Sequence, residues 1–78
     1  MDIGDRLREL RKERRLTQND VETLTGIKRS SLALYELGAQ TPPIDKLIKL
    51  AYLYNVSLDY LCGIDNRTVR TKSRKSEV

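Results

Sequence analysis

Glycine and proline punctuation sets the terms on which this chain can fold. Gly26, Gly38 and Gly63, together with Thr41-Pro42-Pro43, cut it into segments that are mostly too short to persist as lone helices in water. Between these marks the apolar residues recur at three- and four-residue spacing, and no strand-like alternation or internal repeat interrupts them. Such segments survive only by packing on one another. The chain is therefore expected to be an all-α domain of five helices, and its 78 residues supply one compact core.

The first helix is expected over residues 3–14, where Ile3, Leu7 and Leu10 share a face and the other positions are largely charged. Thr17 can cap the second. Asp20 would be the reciprocal member of a capping box, with Leu16 and Val21 as a hydrophobic staple. Val21 and Leu24 should form its buried side, and Gly26 its stop. The third helix is expected over residues 29–37, with Leu32 and Tyr35 inward and Gly38 at its end. A fourth follows the proline pair to about Tyr54, burying Ile44, Leu47, Leu50, Ala51 and Tyr54. Ser57 caps a fifth, Val56 and Leu61 staple it, and Gly63 closes it. Residues 1–64 make the domain on this reading. Residues 65–78 are polar, basic and aperiodic, and are expected to form a flexible tail.

Composition matters chiefly for what it removes. Hydrophobic residues make up 38% of the chain and charged residues 33%, a balance that suits a globular domain and not a disordered one. No apolar run approaches the ~20 residues of a membrane span, and the start MDIGDRLREL is too charged for a secretory leader. The lone Cys62 excludes an intrachain disulfide and suits a reducing, cytoplasmic setting; the residue itself reads as a small buried hydrophobe. Histidine is absent, and no metal-ligand cluster or phosphate-cradling glycine loop is found. Nucleophile–base and metal chemistries thus lack candidates, and neither an enzyme, a cofactor nor a small-molecule substrate is expected. Of the net charge of +4, five basic against two acidic side chains beyond residue 63 account for three. The remainder is nearly neutral, so charge alone does not announce nucleic acid.

The stretch TQNDVETLTGIKRSSLALYELG, residues 17–38, says more. Two short helices flank a glycine turn, and the second opens on Lys28, Arg29, Ser30 and Ser31. A helix that reads the DNA major groove needs hydrogen-bond donors at its N-terminal end, where side chains reach base edges. Arginine can fork onto guanine O6 and N7, lysine can take guanine or phosphate, and serine can take either. Backbone N–H groups at both helix starts can hold phosphates, aided by the helix dipole. The pieces RLRELRKERRLTQ, LTGIKRSSL, YELG and PPIDKLIKLAYLYNVSLDYLCG then follow in order over about four-fifths of the chain. In residues and spacing this set resembles the phage repressor/Cro helix-turn-helix family, also called xenobiotic-response-element-like.

That resemblance implies a lambda-repressor-like fold and a sequence-specific regulator of transcription, a repressor, bound to double-stranded DNA. Base contacts then fall to Lys28, Arg29, Ser30 and Leu34, and backbone contacts to Arg11, Gln18, Asn19, Ser31, Gln40 and Thr41. Arg11 and Glu36 match a family pair in which the first-helix arginine bonds the glutamate near the end of the third helix. Leu34 stays open between touching a thymine methyl, packing locally and simply being exposed. Two copies on a palindromic operator would set their third helices in successive major grooves about 34 Å apart.

The chain also departs from the family pattern. Glu22 stands where the family usually has alanine packed close to the third helix, so it needs a partner, Arg29 or solvent, or the two helices sit slightly apart. Arg15 replaces a glycine at a strained turn, Lys28 replaces a Ser or Thr cap, and Leu37 replaces an asparagine. The loop at residues 39–41 brings no basic side chain.

A second reading rests on surplus apolar residues. Ile48, Tyr52, Leu53, Tyr60, Cys62 and Ile64 exceed what one side of the last two helices can bury. Tyr52, Tyr60, Cys62 and Ile64 fit a homodimer surface. They fit equally a protein-binding adaptor or an antitoxin-like module. The basic tail reads as a solvated extension or as an arm on the DNA backbone.

Overall fold

Helix starts in this chain are mostly written by the residue just before them. In the computed structural model, which describes residues 2–64, the Asp2 carboxylate accepts the Asp5 N–H at 2.9 Å and opens α1 (Ile3–Glu13). Thr17 and Asp20 exchange bonds of 3.0 and 2.8 Å, the expected capping box, at the head of α2 (Gln18–Thr25). After Lys28 comes α3 (Arg29–Leu37), and after Pro43 comes α4 (Ile44–Tyr54). Ser57 accepts the Tyr60 N–H at 3.0 Å and opens α5 (Leu58–Cys62). No strand occurs among the described residues, and no described helix is long and apolar enough to cross a membrane.

The ends are as local as the starts. Gly26, at φ 80°, ends α2 in the left-handed region that a side chain would disfavour. Asn55 ends α4 in the same region at φ 57°. Arg15 also sits at φ 57°, so the strained non-glycine turn expected between the first two helices is present. The expected tail at residues 65–78 lies outside the described residues.

The helices enclose one core. Its fully covered members are Leu7, Val21, Ile27, Leu32, Leu50, Tyr54 and Leu61, at least one from every helix plus Ile27 from the turn between α2 and α3. Full burial of each such aliphatic side chain is worth about 1.5–3 kcal/mol, which is what holds helices of five to eleven residues in place. Three expected core residues lie outside. Leu24 is 59% exposed: α2 turns Val21 and Thr25 inward, and Leu24 swings out beside Lys49 and Tyr52. Ile44 is 62% exposed, because the first turn of α4 overhangs the core that Leu47, Leu50, Ala51 and Tyr54 fill. Cys62 is exposed, since Leu61 takes the one fully inward place of a five-residue helix.

Two contacts fix how the helices cross. Gly4 is buried where α1 meets α3, and a Cβ there would stand 2.6 Å from the Tyr35 carbonyl oxygen and 2.7 Å from that of Glu36. The two backbones thus touch. At the other end of α1, the Arg14 guanidinium donates to the Tyr54 and Leu10 carbonyls and lies 5.6 Å from the centre of the Tyr54 ring. This ties α1 to the last turn of α4.

Tyr54 itself gives a pH prediction. Its hydroxyl is buried and meets no hydrogen-bond partner among the described residues. Burial, with the Glu36 charge adding to it, pushes its pKa up to about 12. An unfolded tyrosine ionises near pH 10, so the folded state holds the proton more tightly. The stability tied to that proton is complete below pH 10 and is lost as pH rises through 12, on the order of 2–3 kcal/mol in all. Tyr54→Phe has no such proton. It should match or exceed the native protein by up to about 1 kcal/mol at pH 7, since it leaves no hydroxyl unpaired. In urea titrations the gap should widen in its favour from pH 10 to 12; parallel curves would refute the burial argument.

Candidate nucleic-acid interface

One carboxylate organises the surface formed by α1, α2 and α3. Glu36, 5% exposed, accepts from Arg11 Nε at 2.7 Å and Arg11 Nη2 at 3.0 Å, a two-pronged pair. Gln18 Nε2 donates to the same Oε1 at 3.1 Å. Arg11 Nη1 reaches the Leu16 carbonyl at 2.9 Å. The bond to Glu36 outweighs burial and raises the Arg11 pKa above its ordinary value, so the guanidinium stays charged. Three helices therefore meet at one carboxylate, and Arg11 ties it in turn to the link between α1 and α2. The expected Arg11–Glu36 pair is present, and it is a buried one. Arg11 is spent largely on the protein, its side chain only 12% exposed.

With its inner side locked, α3 presents an outer edge. Lys28, Arg29 and Ser30 at its start and Leu34 one turn on are exposed, and Ser31 is half-buried. Glu22, for which Arg29 or solvent was the expected partner, meets Arg29 through the backbone: its Oε1 accepts the Arg29 N–H at 3.0 Å. That leaves the N–H groups of Ser30 and Ser31 without an intrahelical acceptor, as α-helix geometry requires. The start of α2 has the same property at Gln18 and Asn19, with Asn19 exposed and Gln18 half-buried against Glu36. Two helix starts with outward N–H groups thus lie in neighbouring, packed helices. Between them Thr25 Oγ1 donates to the Val21 carbonyl at 2.7 Å and accepts the Ile27 N–H at 3.1 Å, which fixes the turn. Gln40 and Thr41 are exposed beyond α3, and the Ala39 and Gln40 N–H groups fold back on the Leu34 carbonyl at 3.0 and 3.3 Å.

This arrangement has known counterparts. A sequence family described as a helix-turn-helix domain matches residues 4–62. The chain belongs to the helix-turn-helix family. Among relatives of this helix-turn-helix domain is the uncharacterised HTH-type transcriptional regulator YobD of Bacillus subtilis, 48% identical over 59 residues, or 76% of this chain and 53% of that protein. Another is the cryptic phage CTXphi transcriptional repressor RstR of Vibrio cholerae, 33% identical over 97% of this chain and 68% of that protein. The domain spans about half the length of the first of these. Among solved structures, the P22 c2 repressor in complex with a synthetic operator superposes with a TM-score of 0.78 at 25% identity, over 83% of this chain and 98% of that one.

The helix-turn-helix domain carries its surplus apolar surface elsewhere. Tyr52 is 83% exposed and stands between two shallow grooves on α4. One, of about 440 Å³, is lined by Ile48, Ala51, Asn55, Val56 and Leu58; the other, of about 400 Å³, by Leu24, Thr25, Lys49 and Leu53. Tyr60 lies instead against α1, with the Arg6 guanidinium 4.8 Å from its ring centre. Cys62 and Ile64 are exposed near that end. Sequence reasoning named the pair of Arg11 and Glu36 and offered Arg29 as a partner for Glu22, but missed that this bond runs to the Arg29 main chain, and missed Gly4, Ile27 and the reach of Arg14. Only Glu22, as a charge standing where a small apolar residue is the rule, signalled itself in the sequence.

Proposed function

We propose that this domain is a sequence-specific repressor of transcription that reads the major groove of double-stranded DNA with α3. The observation that carries the reading is the outward edge of Lys28, Arg29 and Ser30 on a helix pinned from behind by the buried Arg11–Glu36 pair. Donors at the N-terminal end of a rigidly held helix are what base-edge readout requires. Leu34 follows them along the groove. Gln18, Asn19, Gln40, Thr41 and the Ser31 hydroxyl, with the outward N–H groups at the start of α2, hold phosphates and set register, and Arg11 adds what little of its charge is uncovered. The P22 c2 repressor, which shares the fold, is seen with operator DNA. The protein acts as a cytoplasmic homodimer on a palindromic operator, with no enzymatic step, cofactor or small-molecule substrate. Its dimer surface draws on Tyr52, Tyr60, Cys62 and Ile64.

Selection of bound sites from a random duplex pool tests this. The native protein should enrich a palindrome, and the Lys28→Ala/Arg29→Ala variant should lose it. Arg29→Ala alone should cut discrimination at one base position by roughly 1–3 kcal/mol; an equal loss on every sequence would make Arg29 a phosphate contact. The exposed Tyr52 between its grooves favours a second reading, a module that binds another protein. No enrichment at low salt would transfer the function to that surface.

A further inference from the structure

We propose that Glu22 caps α3 from the neighbouring helix, as a positioning residue that aims Lys28 and Arg29 at bases and keeps DNA phosphate off the start of α3. The proposal rests on the reading of α3 as the DNA-reading helix.

A residue in the cap position normally offers a side-chain oxygen to the first turn, as Asp2, Thr17 and Ser57 do for α1, α2 and α5. Lys28 holds that position before α3 and has only donors to offer. The acceptor arrives from α2 instead: Glu22 Oε1 takes the Arg29 N–H at 3.0 Å, across the Gly26 turn. A carboxylate is the stronger acceptor there, because it meets the positive end of the α3 dipole.

Three consequences follow for DNA. Lys28, relieved of capping, remains an exposed cation at the very start of the helix. The Arg29 main chain is tied to α2, so its guanidinium departs from a fixed point. The Glu22 carboxylate also stands where a phosphate would otherwise settle on the N–H groups of α3. Phosphate is then left to the Gln18 and Asn19 N–H groups of α2, where the nearby Asp20 carboxylate is turned back onto the Thr17 N–H at 2.8 Å. Since binding to unrelated DNA is almost wholly a phosphate interaction, Glu22 weakens it more than it weakens binding to the correct site. It acts as a filter for sequence.

Glu22→Gln and Glu22→Ala separate the two roles. Glutamine keeps an acceptor and loses the charge; alanine loses both. Amide hydrogen exchange of the free proteins should show Arg29 as protected in Glu22→Gln as in the native protein, and about fivefold less protected in Glu22→Ala. Affinities for the selected operator and for a scrambled duplex are then measured over a salt series. Glu22→Gln should bind the scrambled duplex roughly fivefold tighter at 0.1 M salt, with a smaller gain on the operator, so that the ratio between them falls. Equal Arg29 exchange in all three proteins, or an unchanged ratio in Glu22→Gln, overturns the proposal while the native preference for its operator leaves the reading of α3 standing. A native protein with no preference among sequences overturns both.

Discussion

Gly4→Ala is expected to lower the melting temperature by roughly 15 °C, although alanine is the better helix former. On an exposed helix the exchange would stabilise by about 1 kcal/mol. Here the new Cβ would meet two backbone carbonyl oxygens, at 2.6 and 2.7 Å, and neither can rotate away as a side chain could. Relief requires α1 and α3 to separate, which loosens Leu7 and Leu10 from Leu32 and Tyr35 and stretches the Arg11–Glu36 bonds. Overpacking of this kind costs about 3 kcal/mol, a large share of what a domain this small holds in reserve. Thermal and urea denaturation followed by circular dichroism reads the effect directly. A variant as stable as the native protein would show that the backbones of α1 and α3 do not touch.

The second large effect is expected at the carboxylate where three helices meet. Arg11→Met leaves Glu36 charged, buried and bonded only to Gln18, and should cost about 3–5 kcal/mol. Glu36→Leu alone strands the guanidinium, though the Leu16 carbonyl still takes one of its N–H groups, so the loss should be smaller. The double variant buries no unpaired charge, and apolar side chains of similar volume should recover most of the stability. Stability and reading then part company. The double variant is expected to fold but to bind its operator weakly, because apolar packing does not fix the rotation of α3 as a two-pronged ion pair does. A double variant no more stable than Arg11→Met would mean that the pair contributes far more than the avoidance of a stranded charge.

Local chemistry was the legible part of this chain. The capping box of Thr17 and Asp20, the cap at Ser57 and the glycine stops depend on residues within a few positions of each other, and the five helices follow from them. The Arg11–Glu36 pair was legible through family resemblance, since nothing in the spacing of two residues 25 apart requires them to meet. What stayed hidden depends on neighbours the sequence does not display. Periodicity puts Leu24 and Val21 on one side of α2, but α3 and α4 together cover only part of that side, and Leu24 falls beyond it. Ile27 looks like a turn residue and is nearly fully buried, because both flanking helices fold over it. Gly4 gave no sign that a second backbone would lie against it. Cys62 has the character of a buried residue, yet a helix of one turn has a single inward place.

The two sets of α3 side chains are disjoint. Leu32, Tyr35 and Glu36 hold the helix in the domain, while Lys28, Arg29 and Ser30 touch neither the core nor the carboxylate that pins it. Substitutions on the outer edge therefore carry little folding penalty, and those on the inner side carry most of it. On the proposed reading, operator preference and foldability are separately heritable: a lineage can retarget this scaffold one outer residue at a time and keep every intermediate folded.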